Sequence, residues 1–330
     1  MTHPLACPIC SHHATRKIAP WRLGYSIHEC DGCGVLFSDP LPTAEQLHDF
    51  YQGFLHKKPS PEALESEIRK DVRALRELLG LEQGAGLRFL DHGGGTGVTF
   101  AAAKRLGFES YFNDVDQQSI DFVRAQHGLD EQHCIADLTK TQESFDVIVS
   151  DNVIEHVPDP IAVLRELVAV LRPGGFLVIK TPWAKASEQL FYPKTVAEYA
   201  MLTAEHGGWI AALQMPLRAR VWCCDPPRHL YGFTSGSIIA AAKAAGVPEA
   251  WCSVSGYTNS LLGRSLTQAF FKPPVGVAGV AKRALVAPLI GPELAFKAAH
   301  FALRKLHALT PMGLALRVTR PKDHGSWARV

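Results

Sequence analysis

The sequence has no uncharged apolar run long enough to cross a membrane. Lys282 and Arg283 interrupt its most apolar stretch, whereas a spanning helix needs about 20 consecutive apolar residues. The N-terminus also has no charged region followed by an apolar one, so we expect no secretory signal and a cytoplasmic location. Since 47% of the 330 residues are hydrophobic and 20% are charged, the composition predicts a folded globular chain.

A large excess of either charge is also lacking. The 34 Lys and Arg residues nearly balance 32 Asp and Glu residues, which gives a formal net charge of +2. Binding to nucleic acid usually depends on a basic surface. Arg16, Lys17 and Arg22 form only a modest basic patch near the N-terminus. The charge therefore argues against a nucleic-acid partner.

The third absence is a Gly-x-Ser-x-Gly segment. In α/β-hydrolases this segment carries the nucleophilic serine on a sharp turn between a strand and a helix. The run His92-Gly93-Gly94-Gly95 is similar to the oxyanion loop of those enzymes. Without the serine, an oxyanion loop has no nucleophile to assist. The sequence therefore argues against a serine hydrolase.

Four of the eight cysteines have the spacing of metal ligands. Cys7 and Cys10 form one Cys-x-x-Cys pair, and Cys30 and Cys33 form a second pair. Disulfides are rare in reducing compartments, and two such pairs supply the four thiolates of a tetrahedral zinc site. Because four thiolates leave no open coordination position, we predict a structural zinc in a module of residues 1–45. The other cysteines are expected to be core or incidental thiols: Cys134, Cys223, Cys224 and Cys252.

Residues 46–85 are predicted to form a helical linker or lid. From Pro61 onward, apolar residues recur at helical spacing among charged ones. Gly80 and the glycine-containing run 83–86 end this pattern. A larger domain is then expected over residues 86–330. The apolar positions of the helix are Leu64, Ile68, Val72, Leu75 and Leu79.

A strand, a glycine loop and a helix open the larger domain. Residues 87–91 have the pattern of a short buried strand, and an alanine-rich helix is predicted over 100–106. Between them, the sequence has the form Asp-x-Gly-x-Gly-x-Gly, which differs from the dinucleotide motif. Glycines let a backbone approach a ligand closely, and the following helix N-terminus offers free N–H groups. The predicted cofactor-binding residues are Asp91, Gly93, Gly95 and Gly97.

With the segments that follow, this loop resembles class I S-adenosylmethionine-dependent methyltransferases. The resemblance rests on an acid after a second strand at Asp114, the stretch Cys134–Leu138, and a fourth strand, Ser144–Ser150, followed by residues 151–160. The four-cysteine segment is similar to an extension of some bacterial small-molecule methyltransferases. The resemblance implies an α/β fold with a doubly wound, mostly parallel, seven-stranded Rossmann-like sheet, an N-terminal zinc module and a helical C-terminal insertion.

The resemblance also implies roles for particular residues. Asp114 is expected to accept hydrogen bonds from the ribose hydroxyls of S-adenosylmethionine, with Asp116 as a nearby competitor. Asp137 is expected to contact the adenine amino group. Leu138 and Asn152 complete the expected cofactor site.

Two histidines are candidate catalytic bases. His156 follows the fourth strand at the carboxyl edge of the sheet, and the pKa of histidine suits proton transfer near neutral pH. The alternative is that His156 caps a turn or lines the pocket without accepting a proton. His229 lies in a segment that resembles a substrate-side loop of related enzymes. In that segment Arg228 and Tyr231 are predicted either to bind substrate or to belong to a packed proline turn.

Insertions are expected at about 184–225 and 258–312. The second is both basic and apolar, and a helix predicted over 292–309 could lie on an anionic membrane surface. Packing against its own domain or a partner subunit is the favoured alternative. The oligomeric state stays open.

The predicted function is methyl transfer from S-adenosylmethionine to a small molecule of biosynthetic, sugar or lipid-like type. A hydroxyl oxygen is the favoured acceptor atom, with carbon or nitrogen as alternatives. The competing hypothesis is a zinc-module RNA methyltransferase. A non-catalytic cofactor-binding scaffold is the third possibility.

Overall fold

The computed structural model describes residues 5–51, 59–80, 82–184, 186, 223–257 and 313–322. The insertions predicted at about 184–225 and 258–312, with the helix at 292–309, lie almost entirely outside these residues. The chain divides into two compact units. The first contains residues 1–184, 221–255 and 314–330, and the second contains 185–220 and 256–313.

The described strands and helices follow in chain order. The strands are β1 (Thr15–Pro20), β2 (Ser26–Cys30), β3 (Leu36–Asp39), β4 (Arg88–His92), β5 (Glu109–Asn113), β6 (Phe145–Asp151), β7 (Leu171–Pro182), β8 (Tyr231–Gly232), β9 (Cys252–Tyr257) and β10 (Gly313–Thr319). The helices are α1 (Ala44–Tyr51), α2 (Pro61–Leu79), α3 (Val98–Arg105), α4 (Gln117–His127), α5 (Pro160–Ala169) and α6 (Ser235–Ala244). Short 3-10 turns cover Arg22–Gly24 and Glu249–Trp251.

The smaller sheet combines the N-terminal segment with a strand from much later in the chain. Its strand order is β1-β2-β3-β8, and the neighbouring strands are antiparallel. The two Cys-x-x-Cys turns lie before β1 and between β2 and β3. The segment with the cysteines is therefore joined to the rest of the chain through β8.

The larger sheet has the strand order β5-β4-β6-β7-β10-β9, and β5, β4, β6 and β7 are parallel. The doubly wound, mostly parallel fold is confirmed. Seven strands were expected, and the described part of this sheet has six. The stretch Cys134–Leu138 forms only one isolated parallel bridge, between Cys134 and Phe112. The extended backbone ends there because the Asp137 carboxylate accepts a hydrogen bond from the Thr139 N–H and closes a turn.

The core of the larger sheet follows from its uninterrupted apolar strands. Leu90, Ile148 and Leu177 occupy one row across β4, β6 and β7, and all three are fully buried. Parallel strands that are covered on both faces typically have such continuous apolar runs. Among the described helices, we find no segment with both the length and the apolarity that crossing a membrane requires.

The amphipathic helix predicted from Pro61 is confirmed as α2. Its buried residues repeat at the predicted spacing. The Ser60 hydroxyl accepts a hydrogen bond from the Ala63 N–H at the start of the helix, and Gly80 ends it with a φ of 64°. Both ends therefore use the capping residues that helices prefer. The buried positions are Leu64, Ile68, Leu75 and Leu79.

Candidate functional site

The glycine loop leaves the carboxyl end of β4 and leads into α3. Gly93, Gly95 and Gly97 have φ values of +63°, +53° and +68°, a region that residues with a Cβ rarely adopt. A Cβ on Gly97 would lie 2.7 Å from Val123, whereas a Cβ on Gly95 would meet nothing within 4 Å. The loop is thus closely packed at one glycine and open at another, which leaves room for a ligand beside Gly95.

Asp91 anchors this loop from inside the fold. The residue is 2% exposed, and its Oδ2 accepts a hydrogen bond of 2.8 Å from the Phe100 N–H in the first turn of α3. A Cβ on Gly94 would lie 2.5 Å from the same oxygen. Burial raises the pKa of Asp91 to about 8. The structure therefore places this predicted cofactor residue behind the loop, where it fixes the loop backbone.

The two acids that follow β5 have different partners. Asp114 Oδ2 accepts a hydrogen bond from the Gly95 N–H (2.8 Å), and its Oδ1 accepts one from the Asp116 N–H (2.9 Å). The Asp116 carboxylate instead caps α4 through the N–H groups of Gln118 and Ser119. Burial raises the pKa of Asp114. Of the two competitors, only Asp114 lies against the open side of the glycine loop.

Val115, between these acids, was not singled out from the sequence. Its side chain is completely exposed, which is unusual for a large apolar residue directly after a core strand. An apolar side chain held next to Asp114 offers a surface for an aromatic ring such as a nucleobase. The signal in the sequence is an apolar residue between two acids at a strand end.

Asp137 and Leu138 belong to a turn near the predicted adenine position. Asp137 Oδ1 accepts hydrogen bonds from the N–H and hydroxyl of Thr139, and Oδ2 pairs with Lys140 at 2.8 Å. These contacts, with Lys140 first, lower the pKa of Asp137 to about 2. Leu138 is buried. An adenine amino group would have to share the Asp137 oxygens with these partners, so this role stays a prediction.

Asn152 lies immediately after β6. Its φ of +54° is in the left-handed region, which asparagine tolerates better than most residues. Its amide donates a hydrogen bond to Asp151 Oδ1, and Lys180 Nζ lies 2.6 Å from Asp151 Oδ2. Its exposed side chain thus stands at the sheet edge. The predicted contact of Asn152 with the cofactor stays a prediction.

The glycine loop touches the segment that carries His156. Strands β4 and β6 are parallel neighbours with His92 opposite Ser150, so the segments that follow them leave the same edge of the sheet. A Cβ on Gly93 would lie only 2.4 Å from Val153 Cγ2. The predicted cofactor loop and the predicted catalytic segment are therefore in direct contact.

The structure brings the two candidate bases together. The ring centroids of His156 and His229 are 4.6 Å apart. Glu155 lies beside them, and one ligand atom from each of the three residues lies within 4.8 Å of the others. Histidines from segments separated by more than seventy residues thus form one cluster next to the glycine loop.

Contacts at the Nδ1 atoms orient both imidazoles. Nδ1 of His156 is 2.8 Å from the carbonyl oxygen of Arg228, and Nδ1 of His229 is 2.8 Å from Asp225 Oδ1. Because both oxygens can only accept, these short contacts favour a proton on each Nδ1 and a lone pair on each Nε2. The contact of His229 with Asp225 is an ion-pair distance that lacks the geometry of a hydrogen bond. Burial, with His229 as a second cause, lowers the pKa of His156 to about 4. His156 is therefore neutral at physiological pH.

Three residues of this cluster were not among the predicted catalytic residues. Asp225 precedes His229 by four residues, a spacing that could have suggested the pair. Glu155 is 1% exposed, and neither of its carboxyl oxygens has a hydrogen-bond partner among the described residues. Burial raises the pKa of Glu155 to about 8. Tyr51, whose Oη is 2.7 Å from His156 Nδ1, gave no signal in the sequence.

Arg228 and Tyr231 are held by contacts within the fold. Two nitrogens of the Arg228 guanidinium donate hydrogen bonds to Asp225 Oδ2. Tyr231 is fully buried and donates a hydrogen bond to the carbonyl oxygen of Pro158. Of the two alternatives left open for these residues, the structure favours the packed turn over direct substrate binding.

The four patterned cysteines meet at one point. Sulfur atoms of Cys7 and Cys33 are 3.7 Å apart, those of Cys10 and Cys30 are 3.6 Å apart, and all four lie within 4.8 Å of one another. A tetrahedron with Zn–S bonds of about 2.3 Å places its sulfurs roughly 3.8 Å apart, whereas a disulfide needs about 2.05 Å. The donor set fits one tetrahedral zinc.

Backbone hydrogen bonds prepare these sulfurs for a metal. N–H groups of Ile9, Gly32 and Cys33 point to the sulfurs of Cys7 and Cys30 at 3.3–3.4 Å. Such donors favour the thiolate form, which is the form that binds metal. The contact with Cys33 is the main cause that lowers the pKa of Cys7 to about 5.

Comparison with known proteins gives a matching family. The model of a methyltransferase domain family matches residues 64–247, which is more than half of the chain. A ubiquinone biosynthesis O-methyltransferase of Parvibaculum lavamentivorans is 37% identical over 152 residues, covering 43% of this chain and 56% of that protein. The protein of the same name from Ruegeria pomeroyi is 38% identical over 103 residues, covering 29% and 42%.

The similarities in sequence to the curated relatives are confined to part of each protein. The match spans about half the length of the two curated relatives. A solved S-adenosylmethionine dependent methyltransferase from Mesorhizobium loti is 18% identical and covers 75% of this chain and 96% of its own, with a TM-score of 0.40. The family match includes the glycine loop, Asp114, His156 and His229, and it leaves out the four cysteines.

Proposed function

This chain belongs to the methyltransferase domain family, and we propose that it transfers the methyl group of S-adenosylmethionine to a hydroxyl oxygen of a small molecule. Membership of the family confirms the class I methyltransferase expected from the sequence. The acceptor class is supported by the two relatives described above, which are named as O-methyltransferases of ubiquinone biosynthesis. The findings give no support to RNA as the acceptor.

The contact between the glycine loop and Val153, in the segment that leads to the histidine cluster, carries this proposal. The loop offers an open position at Gly95 next to the Asp114 carboxylate. Gly93 packs against Val153, three residues before His156. A methyl donor bound at the loop would therefore have its reactive end near groups able to accept a proton.

S-adenosylmethionine supplies a methyl group that its positively charged sulfur already activates. When the acceptor oxygen bonds to the methyl carbon, the carbon–sulfur bond breaks with its electron pair on sulfur, and the hydroxyl proton must leave. The residues of the chain therefore need to align the acceptor, exclude water and take one proton.

We assign the proton to Nε2 of His229. Its Nδ1 faces the Asp225 carboxylate at 2.8 Å, so the positive charge of the protonated ring would be stabilised by an acid. His156 has a neutral carbonyl oxygen at the same position, and burial lowers its pKa. His156 is therefore the better candidate for holding the acceptor, and His229 for accepting the proton.

The cofactor assignment is tested by calorimetric titration with S-adenosylhomocysteine. We expect Asp114→Ala to weaken binding at least tenfold, because the half-buried carboxylate that accepts the Gly95 N–H is removed. Asp116→Asn is the matched control, since asparagine also caps helices, and its affinity should stay within about twofold of the wild type. Failure of the folded wild-type protein to bind would contradict the proposed function.

The acceptor is tested by transfer of a labelled methyl group to a panel of hydroxylated small molecules. Once an acceptor is found, His229→Gln should lower kcat by about 10²–10⁴-fold, the usual contribution of a general base, and Asp225→Asn should lower it as well. Glu155, His156 and His229 could instead bind a cation. Addition of a chelator to the assay tests this alternative. Loss of activity that an added divalent cation restores, with the zinc content unchanged, would argue against His229 as the base.

We also propose that the four cysteines bind a structural zinc. The distances between the four sulfurs and the N–H donors to the sulfurs of Cys7 and Cys30 favour this metal. Metal analysis of protein purified under reducing conditions should find about one zinc per chain. Absence of zinc and of any other metal from folded protein would contradict this assignment.

A further inference from the structure

The four-cysteine segment is joined to the His229 segment by a pair of strands. Strand β3 begins three residues after Cys33, and β8 begins two residues after His229. Their register places Leu36 opposite Gly232 and Phe37 opposite Tyr231. The Ser38 N–H also donates a hydrogen bond of 2.9 Å to the carbonyl oxygen of Leu230. The backbone from Leu230 to Gly232, directly after His229, is thus hydrogen-bonded to the N-terminal segment.

A second hydrogen bond joins the segment after His229 to the four-cysteine module, at Cys33. The hydroxyl of Thr234 donates to the carbonyl oxygen of Cys33, one of the four ligands, at 3.4 Å. Tyr51, at the end of α1, donates to the carbonyl oxygen of Arg228 at 3.0 Å. Residues 228–234 are therefore held from one end by Tyr51 and from the other by a residue of the predicted metal site.

Packing adds a further connection between the two segments. One hydrophobic cluster combines side chains of the four-cysteine segment with those that surround His229. The same cluster continues into the larger sheet, whereas the glycine loop itself is held by Asp91, Asp114 and Val153, none of which belongs to the four-cysteine segment. The shared members are Cys7, Ile9, Cys30, Val35 and Phe37 from the N-terminal segment, with Leu230, Tyr231 and Phe233 from the later one.

We infer that the four-cysteine module is a positioning element for His229, and that loss of its metal would displace His229 while leaving the cofactor site intact. The inference rests on the proposed function for the role of His229. A module this small has little core of its own, so metal binding and its folding are coupled. Without the metal, β3 loses its anchor at Cys33, and β8 loses its partner strand.

The first test removes the metal from the full chain under reducing conditions. His229 is followed through the Nδ1–H signal of its ring by ¹H–¹⁵N NMR, assigned with His229→Gln, and the cofactor site is followed by titration with S-adenosylhomocysteine. We expect the His229 signal to shift or disappear, and the affinity to stay within about twofold. An unchanged His229 signal would overturn the inference. Loss of all cofactor binding would also overturn it, because the module would then support the whole fold.

The second test perturbs the junction with the metal in place. A Cβ on Gly232 would lie 2.5 Å from Cys223 Sγ and 3.2 Å from Leu36 Cβ, so Gly232→Ala should push β8 away from β3. Gly236→Ala is the matched control, because its Cβ would meet the Cys33 carbonyl oxygen at an ordinary 3.5 Å. Both variants should retain about one zinc. Only Gly232→Ala should alter the His229 signal, and equal spectra would contradict the inference.

The two proposals fail in distinguishable ways. If the metal-loaded wild type does not bind S-adenosylhomocysteine, the proposed function fails while the coupling of His229 to the module is still measured. If it binds, and His229 is indifferent to both the metal and Gly232→Ala, the positioning role alone is wrong.

Discussion

At the scale of single residues, burial decides which protonation states the fold accepts. His92 is 9% exposed, and its Nδ1 lies 2.9 Å from the Ser150 hydroxyl. Burial lowers the pKa of His92 to about 4. The folded protein therefore keeps this ring neutral at pH values where an unfolded chain would protonate it.

A dependence of stability on pH follows for His92. Its pKa falls from 6.5 in the unfolded chain to about 4 in the folded one, so its stabilising contribution is complete above pH 6.5 and is lost as the pH falls to 4. At 1.36 kcal/mol for each pKa unit, the loss amounts to about 3 kcal/mol. Urea unfolding at pH 7.5 and pH 4.5 should show the wild type losing stability relative to His92→Gln. A constant difference between the two proteins would contradict this prediction.

The glycine loop gives a second prediction for single residues. A Cβ on Gly94 would collide with Asp91 Oδ2 at 2.5 Å, and the acid cannot retreat because it holds the Phe100 N–H. Gly94→Ala should therefore lower the thermal midpoint of unfolding and weaken binding of S-adenosylhomocysteine at least tenfold. Gly236→Ala, whose Cβ has room, serves as the control. Wild-type affinity and stability in Gly94→Ala would show that the loop adjusts.

At the scale of local elements, the two cysteine turns are built alike. Ser11 and Gly34 each follow the first cysteine of their pair by four residues, and the N–H of each donates to the carbonyl oxygen of that cysteine at 2.9 Å. Their φ values are 60° and 75°. Both turns need a residue in the left-handed backbone region. Gly34 adopts it without strain, whereas Ser11 adopts it with a loss of conformational stability because it has a Cβ.

This difference predicts unequal effects of substitution. Gly34→Ala should cost about 1–2 kcal/mol, because a Cβ is forced into the left-handed region. Ser11→Gly should change stability by less than about 1 kcal/mol, since relief of strain is offset by the greater freedom of glycine in the unfolded chain. Chemical unfolding of the zinc-loaded variants measures both. Equal losses of stability in the two variants would contradict this prediction.

Local elements were also where sequence patterns predicted the structure best. The apolar spacing of α2 was sufficient to predict that helix, and the Asp-x-Gly-x-Gly-x-Gly loop was sufficient to predict a strand, a loop and a helix. Each pattern depends on neighbours within about twenty residues. A seven-stranded sheet was expected, but the stretch Cys134–Leu138, between the second and fourth predicted strands, forms only one bridge, at Cys134. There the Asp137 carboxylate accepts a hydrogen bond from the Thr139 N–H, and the backbone forms a turn instead of a continued strand.

At the scale of the whole molecule, the candidate site depends on contacts between distant segments. The sequence contained His156 and His229, but their 4.6 Å approach follows from the sheet edge and the β3–β8 pairing. Tyr51 reaches His156 from the N-terminal segment, and no local pattern marks such a contact. The parts of the site that could be predicted are local in sequence, and the parts that could not are brought together only by folding.

The whole molecule also has a definite order in which its parts can be completed during synthesis. Strand β3 ends at Asp39, and its partner β8 begins at Tyr231, about 190 residues later on the ribosome. At roughly 5–20 residues per second, the edge of β3 waits on the order of 10–40 s for its partner. An unpaired edge strand can pair with other chains. The nascent protein therefore passes through a period in which its N-terminal sheet is exposed to aggregation or to chaperones.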